Sequence, residues 1–156
     1  MDMKQKLEKM FDDLEGRQQA KKDEANAKMS AESARRNTWL TFIDTILEPA
    51  LTDFSRVLKT KGVKVEAGID KVSPVVGGSV SMLIESTDRS VSWQSSTLRI
   101  SCVDTVKFTG EVWGRRGKTP FSSQPIQATA ANVTREMVEN QLMAFAEKVI
   151  RATEQS

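Results

Sequence analysis

The feature that most constrains the fold of this chain is a change of apolar period at Gly62. Before it, Trp39, Phe42, Ile43, Ile46, Leu47, Leu51, Phe54, Val57 and Leu58 recur at intervals of three and four. That spacing keeps one face apolar for about six turns of helix. Lys59 and Lys61 stand where a helix C-terminus favours positive charge, and Gly62 suits the cap. Pro49 lies inside this helix, from Asn37 or Thr38 to Lys61, yet the apolar phase continues across it, which predicts one bent helix. After Gly62, Val63, Val65, Ala67 and Ile69 alternate with polar residues, as do Val80, Met82 and Ile84 beyond a connection at Ser73–Ser79. Alternation is the period of a strand with one face buried, so helix and sheet must share a core.

The alternation resumes further along. A turn is expected at Thr87–Ser90, then a short strand or loop from Val91 to Ser96 that contains Trp93. Leu98, Ile100, Cys102, Val106, Phe108 and Val112 are apolar at even positions, which predicts two strands broken near Asp104 or one long bent strand. Gly114–Gly117 reads as a hairpin turn, and Thr119–Ala130, with Pro120 and Pro125, as an edge strand or loop. The chain then returns to helix from Asn132 or Thr134 to about Thr153, with Val138, Leu142, Phe145 and Val149 as its stripe, widened by Met137, Ala146 and Ile150. The expected fold is therefore α+β. An N-terminal helical arm and a long amphipathic helix precede an antiparallel sheet of four or five strands, and a C-terminal helix packs on the same sheet face.

The arm, residues 1–36, is expected to stand apart from a single α+β domain at 37–156. Its residues are mostly strong helix formers, interrupted only by Gly16. Met3, Leu7, Met10, Phe11 and Leu14 share a face, but the same stripe continues as Arg17, Lys21, Glu24 and Lys28, while Ala20, Ala27, Ala31 and Ala34 form a thinner one. So few apolar side chains cannot repay the entropy of ordering the whole arm. It should be a mobile tail, or a helix lying against another copy or a foreign partner.

Composition narrows the chemistry. With 156 residues there is room for one core. Histidine and tyrosine are absent, which removes the commonest general base, the Ser-His and Cys-His nucleophile systems and His-based zinc sites. Cys102 is the only cysteine and continues an apolar alternation, so it reads as a buried hydrophobe in a reduced, cytoplasmic protein. No signal peptide or membrane span is visible. No enzyme, cofactor or metal site is expected. The net charge of +2 is evenly spread: residues 1–61 carry 12 basic and 11 acidic groups, 62–131 carry 8 and 6, and 132–156 carry 3 and 4. Such balance does not announce a nucleic-acid binder.

Gly114-Arg-Arg-Gly-Lys-Thr119 ends like a phosphate loop, but its glycines are too close and Pro120 stands where a helix should start. Read as a hairpin tip, Arg115, Arg116 and Lys118 beside Trp113 could meet phosphates and stack on a base, together with Arg35 and Arg36. A solvated turn accounts for the same charges. Asp44, Glu48 and Asp53 lie opposite an apolar stripe, as a solvated face requires, and Glu136 and Glu139 suit a first helical turn. Ser92, Ser95, Ser96, Ser101, Ser122 and Ser123 suit a polar sheet face. The leading expectation is a non-catalytic protein-interaction or self-association module, a dimer or a docking protein, using Leu7, Met10, Phe11 and Leu14. The alternative is a nucleic-acid-binding accessory protein using Arg35, Arg36, Trp113, Arg115, Arg116 and Lys118, with weak binding. A small-ligand cup between sheet and helix is the third.

Overall fold

The computed structural model describes residues 2–85, 94–114, 117–122 and 129–154. Backbone contacts divide the chain into two compact units, Met1–Asn37 and Thr38–Ser156. Helix α1 runs from Met3 to Phe42, a π-helical turn follows at Ile43–Leu47, and α2 spans Glu48–Thr60. There is no helix break at residue 37, because nothing between Arg36 and Thr38 opposes helix. Strands β1 (Lys64–Asp70), β2 (Val76–Leu83), β3 (Ser96–Cys102), β4 (Val106–Gly114) and β5 (Gly117–Ser122) precede α3 (Arg135–Glu154).

Pro49 explains the π turn. Proline has no N–H for a helical bond, so the helix must absorb a missing donor in the turn before it. Here the Glu48 N–H reaches back five residues to the Ile43 carbonyl, and the widened turn keeps Ile43 and Leu47 fully buried. Where the sequence predicts a bend at Pro49, the helix carries a π turn just ahead of it. Gly62, at φ 79°, closes α2 in the left-handed conformation that glycine adopts without strain.

The five strands pair antiparallel in chain order. One row crosses the whole sheet, Ala67, Val80, Leu98, Gly110 and Phe121, and belongs to the face that α2 and α3 cover. Val138, Leu142, Phe145 and Val149 of α3 are all buried, and Phe145 meets Phe121 edge-on at 5.5 Å between centroids. Strand β2 starts earlier than its sequence suggests, since Val76, Gly77 and Gly78, expected in a connection, pair with Cys102, Ser101 and Ile100. Of the two readings for residues 98–113, the structure has two strands, joined by Val103–Thr105. Trp39 secures that turn: its indole Nε1 donates to the Val103 carbonyl at 2.7 Å, and its ring stands edge-on to Phe42.

Close strand approach fixes Gly110. A Cβ there would lie 2.0 Å from the Thr97 carbonyl oxygen and 3.0 Å from the Leu98 Cα, so only glycine fits. Gly77 is held in the same way, with the Ile100 carbonyl oxygen 1.9 Å from where its Cβ would be. The expected turn at Thr87–Ser90, Trp93, the Arg115-Arg116 tip and Pro125 lie outside the described residues.

Candidate interaction surfaces

The first unit offers an exposed apolar stripe. Every residue from 2 to 35 is exposed, and the only buried residues of α1 are Trp39 and Phe42. Leu7 is 45% exposed, Met10 64%, Phe11 61% and Leu14 41%, so each has surface left to cover. What starts the helix is a reciprocal cap. The Gln5 N–H donates to Asp2 Oδ1 at 2.8 Å and the Asp2 N–H to Gln5 Oε1 at 3.4 Å, two end groups satisfied together. Further along, Gln19 Nε2 donates to Asp23 Oδ1 at 3.0 Å, one turn on. The sequence carries the cap signature, Asp-x-x-Gln, but apolar spacing alone passes over it.

The second unit offers the bare face of the sheet. Pairing places Gly68, Ser79, Arg99, Thr109 and Ser122 in one row, Asp70, Gly77, Ser101 and Lys107 in another, and Glu66, Ser81, Thr97, Glu111 and Pro120 in a third. It is a hydroxyl-rich surface; Ser81 Oγ and Thr97 Oγ1 lie 3.1 Å apart across two strands. A shallow depression of about 410 Å³ is lined by Gly68, Gly77, Ser79, Thr97, Arg99 and Ser101, among others. Trp113 and Lys118 are paired on this face at the hairpin end, with Lys118 Nζ 5.9 Å from the indole centroid and 3.5 Å from Glu111. Trp113 is half-buried and its N–H donates to the buried Ser96 Oγ at 2.9 Å.

Of the residues expected to meet nucleic acid, Lys118 and Trp113 stand together in the second unit, whereas Arg35 and Arg36 belong to the first and already have interaction partners. Arg115 and Arg116 lie outside the described residues. Arg99 and Lys107, not singled out from sequence, share the face of Trp113 and have no ion-pair partner among the described residues. Their odd numbers in the Leu98–Trp113 alternation are the signal that would have found them.

The carboxylates of α2 and its preceding turn hold ion pairs. Lys71, after β1, meets Asp44 and lies 3.9 Å from Glu48, and hydrogen bonding to Asp44 raises its pKa. Arg135 at the start of α3 bridges Asp53 and Glu139, and both contacts raise its pKa, Glu139 first. These exposed pairs tie the helices to each other and to the β1–β2 connection, and solvent screening keeps each of them weak. Among the described residues no group of three potential metal ligands comes together. Cys102 is buried at 4% exposure, and burial pushes its thiol up to about 12. No helix among the described residues is long and apolar enough to cross a membrane. No known protein family, curated protein or solved structure matches the chain.

Proposed function

We propose that the protein is a non-catalytic self-association module, in which the N-terminal helix joins two copies and the α+β unit supplies the body that is joined. The observation that carries this reading is the exposure of Leu7, Met10, Phe11 and Leu14 along one stripe of a helix whose residues 2–35 are all exposed. A capped helix with an uncovered apolar stripe gains free energy by laying that stripe on another surface. Full burial of such side chains is worth about 1.5–3 kcal/mol each, and roughly half of that remains on offer here. Four side chains from each copy then give roughly 6–12 kcal/mol, against an association cost of about 4–15 kcal/mol. The contact is therefore of micromolar affinity or weaker, and reversible.

A reduced, cytoplasmic setting agrees with an unpaired, buried Cys102. The test is the pair Leu7→Ser and Leu14→Ser in the full chain. Both lie on a surface the fold does not bury, so the double variant should keep the far-ultraviolet spectrum and thermal transition of the second unit while losing concentration-dependent association. Unchanged association would remove the stripe from the argument.

A second reading is favoured by Arg99, Lys107, Lys118 and Trp113 sharing the bare sheet face. Cations among hydroxyls beside an indole suit a phosphate backbone and a stacked base. Such binding would weaken steeply with salt, by roughly one unit of log-log slope for each phosphate neutralised. Arg99→Ala with Lys107→Ala should flatten that slope by up to about two units. Affinity indifferent to salt would exclude this reading.

A further inference from the structure

The geometry points to an antiparallel pairing of the N-terminal helices of two copies, overlapped over residues 3–14; this rests on the self-association proposed above and specifies its form. Met3, Leu7, Met10 and Leu14 follow a spacing of four, three and four, the two core positions of a heptad. All four are exposed on a continuous helix. A second copy of the same stripe is the surface that fits such a seam, because each side chain then enters a hole formed by its own kind.

Charge decides the direction. The helix continues past Leu14 to Phe42, and the next core positions are Arg17, Lys21, Glu24 and Lys28. A parallel, in-register pair would set each of these against its own copy, four successive layers of like charge along the seam. Like charges facing each other at close range are destabilising. An antiparallel pair avoids this. When Leu7 faces the partner's Met10, Met3 faces the partner's Leu14, and all four apolar layers are filled. No other antiparallel register fills them all. Arg17 then falls beyond the partner's first turn, and the charged stretch lies outside the overlap in solvent.

The flanks agree with the same direction. Lys6 and Asp13 occupy equivalent flanking positions one heptad apart, and neither side chain has an ion-pair partner among the described residues. In the antiparallel register Lys6 of each copy lies beside Asp13 of the other, which makes two symmetric pairs. A parallel register would instead put Lys6 beside Phe11 and Asp13 beside Gln18. The pairing thus closes on itself as a two-fold dimer.

Spin labels on single introduced cysteines read the direction directly. Asp12→Cys and Asn26→Cys are both exposed in the arm, and the buried Cys102 should not take label in the folded protein. At 1.5 Å per residue the antiparallel register separates the two Asp12 sites by about 10 Å along the axis and the two Asn26 sites by about 52 Å. Distances between labels should therefore be under about 35 Å for Asp12→Cys and above about 50 Å for Asn26→Cys, allowing for helix width. Charge reversal supplies a second readout. Lys6→Glu alone and Asp13→Lys alone should each weaken association by about three- to tenfold, and the two together should restore it. Association with equal label distances at both sites, or with no restoration in the double variant, would overturn the antiparallel pairing while leaving self-association standing. A wild-type chain that stays monomeric at high micromolar concentration would overturn both.

Discussion

Replacing Ser55 with alanine should make the second unit more stable, against the usual direction of core substitutions. Ser55 lies inside α2 at 8% exposure, and its Oγ has no hydrogen-bond partner among the described residues. A buried hydroxyl without a partner costs about 1–3 kcal/mol of desolvation, which the substitution relieves. Alanine also improves helix propensity by about 0.5 kcal/mol. Against these stands the small void left by one oxygen atom, about 0.5 kcal/mol or less. The net expectation is a gain of about 1–3 kcal/mol. With an unfolding entropy near 0.25 kcal/mol per kelvin for a unit of this size, the melting temperature should rise by about 4–12 °C. Thermal unfolding followed by circular dichroism, together with urea titration at constant m-value, measures it. A fall of 2 °C or more would show that the hydroxyl holds a partner and that the reasoning is wrong.

Gly110→Ala should destabilise the sheet by at least about 3 kcal/mol, because the new Cβ would meet the Thr97 carbonyl oxygen at 2.0 Å; an unfolding midpoint close to that of wild type would refute it. Cys102 should resist thiol reagents in the folded state at pH 8 and react once the protein is unfolded in urea. The unfolded thiol loses its proton near 9.0 while the folded one holds it to about 12. The folded state therefore binds more protons in that window, and stability should fall as pH rises from about 9 towards about 12. A Cys102→Ala variant should lose that part of the pH dependence. Deleting residues 1–36 should leave a cooperative thermal transition, since the buried residues of the structure begin at Trp39; loss of all cooperativity would make the arm part of the core.

Most of the second unit could be read from sequence because its signals are local and repeated. The stripes of Trp39–Leu58 and Val138–Val149 each hold phase for several turns, and the even-numbered apolar residues from Leu98 to Val112 set both register and face. The misread element shows where this fails. Gly77 and Gly78 carry no side chain to register an alternation, and Pro74 beside them suggests a connection, so the first residues of β2 were hidden. Only pairing across strands reveals that they belong to the sheet. The π turn was legible as a disturbance at Pro49 but not as a π turn, because the choice of how to absorb a missing donor depends on keeping Ile43 and Leu47 buried. The arm's stripe was plain in the sequence, as was its decay into charge. Arg99 and Lys107 share a face only once the strands are aligned, since they belong to different strands, Arg99 opposite Thr109 and Lys107 opposite Ser101.

Whether the exposed stripe of the N-terminal helix joins copies of the chain is tested most directly by sedimentation equilibrium of the 156-residue protein. A single chain has a mass of 17.4 kDa. Across about 5 to 500 μM, the range in which an association of this size should appear, the weight-average mass is expected to climb from near that value towards twice it and then level off. The Leu7→Ser, Leu14→Ser variant should stay near the single-chain mass throughout. A wild-type mass of 17.4 kDa at every concentration would contradict the account.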